Sequence, residues 1–146
     1  MVDDDLNVGV LMFIAHRAME NRVFSALADA GFTDFTRAQG RLMSRIGPAG
    51  TRLTELAEQA QVTKQTAGFL VDQLERTGYV ERVPDPTDAR ARLVRIVGRG
   101  QAVLPVARAA ADQVEREWAD HLGERGMAQL RRALTALREI TDPYAE

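Results

Sequence analysis

The chain has 146 residues, 45% of them hydrophobic, enough to bury a core of ordinary domain size without covalent staples. It contains no cysteine, which excludes disulfides, thiolate metal sites and thiol-based redox sensing through this chain. The net charge of -2 is unevenly spread: residues 1–36 carry two arginines against six acids, residues 37–99 ten arginines and Lys64 against seven acids, and residues 100–146 six arginines against eight acids, so a basic middle of +4 lies between acidic ends of -4 and -2.

The first apolar stretch, Val8 to Ala15, follows Asp3, Asp4 and Asp5, the opposite of a leader's basic start, and is too short to span a membrane. The expectation is a cytoplasmic protein with no membrane partner. A helix is predicted from Leu6 to Ala30, with Leu6, Val10 and Phe13 on one face and Leu11, Ile14, Ala15 and Ala18 widening it, closed by Gly31. Two apolar faces exceed what one core-facing helix needs, and a second subunit is the simplest cover. A second helix is predicted over Asp34 to Ile46, ended by Gly47, Pro48, Ala49 and Gly50.

Leu53, Leu56, Ala57 and Ala60 give a short third helix behind Thr54 as N-cap, ending near Gln59. Thr63 caps the next, whose buried stripe is Ala67, Leu70, Val71 and Leu74 and whose end is Gly78. Two short helices joined by a brief turn form a helix-turn-helix. Tyr79 to Val83 and Arg92 to Val97 then read as two strands around a proline-rich tip about eight residues long, a projecting wing rather than a tight turn. Beyond Gly98 and Gly100, Val103, Val106, Ala107, Ala110, Val114 and Trp118 mark one helix and Met127, Leu130, Leu134 and Leu137 another. Gly123 and Gly126 mark the break between these two, and Pro105 is a candidate kink. The fold class is mainly α with a small β-hairpin wing.

The helix behind Thr63 presents Lys64, Gln65 and Thr66 at its N-terminal end, opposite its buried stripe. Glutamine can bond adenine bidentately, threonine can touch a thymine methyl, and lysine can reach guanine or phosphate. In the wing, Arg90 and Arg92 suit a narrow minor groove or phosphates, and Asp88 is placed to brace Arg90. No nucleophile with its base, phosphate loop or metal cluster is present in the pattern: the only histidines are His16 and His121, and Gly98-Arg-Gly100 lacks the rest of a dinucleotide fingerprint. Neither catalysis nor a cofactor is expected.

Residues 51–100 resemble the winged helix-turn-helix of the MarR family of bacterial regulators, through Leu53-Thr-Glu-Leu-Ala57, Val62-Thr-Lys-Gln-Thr66, Leu70-Val-Asp-Gln-Leu-Glu75, Gly78-Tyr-Val-Glu-Arg82, Asp85-Pro-Thr-Asp-Ala-Arg90 and Arg92-Leu-Val94. One departure is Val97-Gly98, where the family commonly has a capping threonine, so the following helix must be capped otherwise or fray. The resemblance covers nearly the whole chain and implies one domain over 1–146, a DNA-binding region over 34–98 and dimerisation helices over 6–30 and 99–141. It further implies a homodimer that binds a pseudo-palindromic double-stranded operator, most often as a repressor, released by small aromatic or phenolic effectors. Phe13, His16 and Trp118 lie on elements that could line such an effector's crevice. The rival reading is a winged-helix interaction module that has lost DNA binding.

Overall fold

A computed structural model describes residues 5–144, so Asp3 and Asp4 of the acidic run lie outside them. The elements run α1 (Val8–Asp29), α2 (Arg37–Met43), β1 (Thr51–Arg52), α3 (Leu53–Gln59), α4 (Lys64–Arg76), β2 (Val80–Asp85), β3 (Asp88–Ile96) and α5 (Arg99–Thr141). No helix among the described residues is long and apolar enough to cross a membrane.

Local chemistry sets most of the ends. Asn7 caps α1 through its side chain, which accepts from the Val10 amide at 2.9 Å, and Thr63 caps α4 through the Thr66 amide at 3.1 Å. The helix expected over Asp34 to Ile46 is shorter, Arg37–Met43, because Thr36 and Gln39 form a capping box that starts it three residues later. Thr54 is not the N-cap of α3; Arg52 holds that position without a side-chain bond, because the chain enters α3 directly from the extended residues of β1.

The wing is tighter than its prolines suggested. Asp85 pairs with Asp88, so only Pro86 and Thr87 lie outside the ladder, and the expected loop of about eight residues is mostly strand. Asp85 closes the turn: its Oδ1 accepts from the Thr87 amide at 2.8 Å and the Thr87 hydroxyl at 2.7 Å. β1 joins on the other side to give an antiparallel sheet of order β1-β3-β2, with Thr51 opposite Val94 and Val80 opposite Ile96.

The start of α5 has no side-chain cap, and a tight turn replaces it. The Gly100 amide donates to the Val97 carbonyl at 2.8 Å, and the Gln101 side chain donates to the Ile96 carbonyl at 2.9 Å. Gly100 is required by packing, since a β-carbon there would lie 2.1 Å from the Tyr79 carbonyl oxygen. Pro105 does not interrupt α5; the break is at Gly123, whose φ of 80° and ψ of 157° leave the helix, while Gly126 stays helical. Arg131 and Glu115 form an ion pair across it, although 16 residues of straight helix would hold them about 24 Å apart. The arm after Gly123 therefore folds back along the arm before it.

The core is concentrated in one place. Leu42, Met43, Leu56, Ala57, Ala67, Leu70, Val71, Leu74, Tyr79, Val80 and Val94 are buried together, joined by Leu27 from α1 and Val103 from α5. The expected stripe of α4 is buried as read. The first half of α1 is different: Val8, Val10, Leu11, Met12, Phe13 and Ile14 are all exposed.

Candidate nucleic-acid interface and apolar groove

Helix α4 is held from behind by α2, α3 and β2, which leaves its opposite side open. Gln39 of α2 is buried and donates to Gln73 of α4 at 3.1 Å, while its own Oε1 accepts from the Thr36 amide at 2.9 Å. Thr63, Lys64, Gln65 and Thr66 are exposed at the N-terminal end, where the helix dipole favours an anion. The structure thus brings the four residues together at one accessible helix end.

Ion pairing sorts the basic charge of the middle segment. Arg37 and Arg41 bind Glu20, Arg45 binds Asp142, Arg52 binds Asp85, Arg82 binds Asp72 and Glu75, Arg95 binds Glu81, and Arg99 binds Asp34. Of the eleven cations in residues 37–99, seven are neutralised in this way, and Lys64, Arg76, Arg90 and Arg92 make no ion pair among the described residues. Lys64 opens α4 and Arg76 ends it, while Arg90 and Arg92, two apart on β3, share one face of the wing. Arg76 was not singled out by sequence, because a lone arginine at a helix end has no local signature; only subtraction of the paired arginines exposes it.

The bracing of the wing differs from expectation. Asp88 accepts from the backbone amide of Arg90 at 3.0 Å and makes no bond to its guanidinium, because the two-residue turn points the carboxylate back at its own strand. The brace of the turn is Asp85, buried at the end of β2, where Arg52 Nε donates to its Oδ2 at 2.8 Å. The Thr87 donors, with Arg52, lower the Asp85 carboxyl to about 2.

A second set of polar contacts joins α1 and α5 to the winged unit. The Glu20 side chain, only 9% exposed, accepts from Arg41 at 2.9 and 3.0 Å and from Arg37 at 3.2 Å, with His16 Nε2 at 3.4 Å. The Arg41 bonds bring its pKa down to about 2. On the other side, the buried Tyr79 hydroxyl donates to Asp34 at 2.6 Å, and Arg99 binds the same carboxylate while lying 4.7 Å over the Tyr79 ring. Burial, and the bond to Asp34, push the Tyr79 phenol up to about 12.

Between α1 and the two arms of α5 lies an apolar groove of about 600 Å³, lined by Val8, Leu11, Met12, Ala15, His16, Met19, Trp118, Met127, Leu130 and Leu134, with Glu115, Arg131 and Thr135 as its polar members. His16 and Trp118 are among its walls. Phe13 is not: at 100° per residue it falls on the far side of α1 with Val10 and Ile14, and it is 59% exposed.

A MarR-family model matches residues 33–91, which span α2 to the wing. The transcriptional regulator HosA of Escherichia coli O111:H- is 32% identical over 90 residues, covering 61% of this chain and 67% of that protein. The chain belongs to the MarR family. The transcriptional regulator Tm0710 from Thermotoga maritima superposes with a TM-score of 0.61 at 26% identity, over 91% of this chain and 92% of that one. NadR, solved in complex with 4-hydroxyphenylacetate, superposes with a TM-score of 0.73 at 19% identity, over 96% and 98%. This MarR-family protein is accordingly a DNA-binding transcriptional regulator, with its winged helix formed by α2 to β3.

Proposed function

We propose that this regulator is a ligand-responsive repressor that binds a pseudo-palindromic operator as a homodimer. The observation that carries the reading is the distribution of cations: ion pairs remove the arginines elsewhere in the middle segment and leave Lys64, Arg76, Arg90 and Arg92, on α4 and the wing, without an ion pair among the described residues. In this reading Lys64, Gln65 and Thr66 meet base edges in the major groove, with Thr63 fixing the helix start. Arg90, assisted by Arg92, enters or flanks the minor groove, Arg76 meets phosphate, and Asp85 with Asp88 shapes the wing. The outward face of α1 at Val10, Phe13 and Ile14 is the dimer contact, since a monomer would leave those side chains in water.

The groove beside His16 and Trp118 takes the effector, an aromatic or phenolic molecule. Its apolar walls suit a ring, and His16 and Arg131 offer polar anchors for a hydroxyl or carboxylate. NadR, with its bound 4-hydroxyphenylacetate, supplies the chemical class. Occupancy would reach the DNA-binding unit through His16, Glu20 and the α2 arginines, and from α2 through Gln39 to Gln73 of α4.

The test is fluorescence anisotropy with the duplex upstream of the protein's own gene, across a salt series and against excess random duplex. Tight, competitor-resistant binding is expected, with Arg90→Ala weakening it about tenfold and flattening the salt dependence by about one unit of slope. Gln65→Ala should change base preference instead. Equal loss and unchanged preference for both would overturn this division of labour. The groove is tested by titrating 4-hydroxyphenylacetate into the complex: release that Trp118→Ala abolishes supports it, and no release by any of a phenolic series overturns it.

A further inference from the structure

The outward side of α4 carries a residue that neither the motifs nor the ion pairs explain. Phe69 is 58% exposed in the middle of α4, whereas Ala67, Leu70, Val71 and Leu74 fill the buried side. At 100° per residue, Gln65, Phe69, Asp72 and Arg76 fall along one outward meridian, with the buried stripe opposite. Phe69 therefore lies one turn beyond Gln65, on the line that also carries Arg76. An aromatic ring left in water on a helix bracketed by the unpaired cations Lys64 and Arg76 has an evident counterpart, an apolar group on the floor of an anionic groove.

Its neighbours keep that approach open. Asp72, which would repel phosphates on the same line, is held by Arg82 at 2.9 Å. Gly68 has no steric reason within the fold to be glycine: a β-carbon there would come no closer than 3.9 Å to Leu53, an ordinary contact. Glycine inside a helix is disfavoured relative to alanine, and here it leaves α4 slim beside Phe69. In the major groove the apolar group available is the thymine C5 methyl, which distinguishes thymine from every other base of DNA.

We propose that Phe69 is a specificity-determining residue that reads thymine methyl groups in the major groove, one helical turn beyond the base read by Gln65. The proposal rests on α4 being the groove-reading helix, and its test separates the two. Random duplexes are selected on the purified full-length protein, and each thymine of the enriched site is then replaced by deoxyuridine, which deletes the methyl alone. Wild type should bind about fourfold more weakly at one or two thymine positions, the equilibrium worth of one buried methyl-sized group. Phe69→Ala should bind the thymine duplex about tenfold more weakly and lose the thymine–uracil difference at those positions, and Phe69→Leu should keep part of it. Wild-type affinity indifferent to every thymine methyl, or a Phe69→Ala variant that still discriminates, overturns the role of Phe69 and leaves α4 as the reading helix. Failure to enrich any duplex overturns both.

Discussion

The winged unit, α2 to β3, and the helices α1 and α5 handle the same apolar chemistry in opposite ways. In the winged unit the apolar stripes cover one another, completed by Leu27 of α1 and Val103 of α5, and Leu42, Leu56, Val71, Leu74 and Tyr79 are fully buried. In α1 the side chains from Val8 to Ile14 remain exposed on two faces, one toward the groove and one away from it, and Ile140 near the end of α5 is 84% exposed. The first region is a closed core that can present a rigid reading surface. The second is an open one, suited to binding a second copy and a small molecule. The two are joined by apolar packing, Leu27 and Val103 entering the core of the winged unit, and by polar contacts, Glu20 with Arg37 and Arg41, Asp34 with Tyr79 and Arg99, and Asp142 with Arg45.

The comparison breaks first in the core. Leu74→Ala should destabilise the fold by about 2–5 kcal/mol in urea unfolding, while Leu11→Ala, half-exposed in the groove, should cost less than about 1 kcal/mol in a dissociated sample. Equal losses would mean that the helical region is no more open than the winged unit. On the outward face of α1, Phe13→Glu together with Ile14→Glu should weaken the dimer by about a hundredfold or more, read from light scattering over a dilution series, with far-UV circular dichroism of the winged unit retained. A dimer that survives both charges would move the interface elsewhere.

Acid should attack the junctions. Glu20 and Asp85 have folded pKa values of about 2, below the ordinary carboxylate range, and Asp34 and Asp142 are lowered by their arginines. A lowered carboxylate contributes stability above its unfolded pKa and loses it as pH falls through the folded one, so Tm should hold down to about pH 4.5 and fall between there and about pH 2. Glu20→Gln should flatten part of that limb. At the other end, Tyr79 is raised from 10.0 to about 12, so its contribution is complete below pH 10 and is lost as pH climbs toward 12. The smallest effect sharpens the contrast most: Gly68→Ala should stabilise the fold by about 0.5–1 kcal/mol and yet weaken DNA binding, because it improves the helix and fills the space through which α4 approaches the groove. Stabilisation with unchanged affinity would place Gly68 away from DNA.

Much of this was legible before the structure. The stripe Ala67, Leu70, Val71 and Leu74, the cap at Thr63 and the break at Gly123 follow from helical periodicity and local backbone preference, and all three stand in the fold. The errors share a cause. Thr54 was assigned as a cap, the second helix was started too early and the wing loop was drawn too long, because residue preference competes with contacts that no local window contains: β1 leading into α3, the Thr36–Gln39 box, and the ladder that runs to Asp85. Asp88 was read as the brace of the Arg90 side chain and holds its backbone amide instead, while the tie from the wing to the rest of the unit is Asp85 with Arg52, 33 residues away in the chain. Phe13 was placed in a crevice it does not line, because two apolar faces on one helix give no sign of which one meets α5.

The sequence by itself determined the winged helix-turn-helix, the polar start of α4 at Lys64, Gln65 and Thr66, and the two apolar faces of α1, since periodicity and capping act over a few residues. Only the tertiary structure decided which basic side chains are ion-paired among the described residues and which apolar face of α1 lines the groove with α5. An arginine's availability depends on whether a carboxylate reaches it first, as Glu20 reaches Arg37 and Arg41, whereas the only carboxylate bond to Arg90 among the described residues is that of Asp88 to its backbone amide.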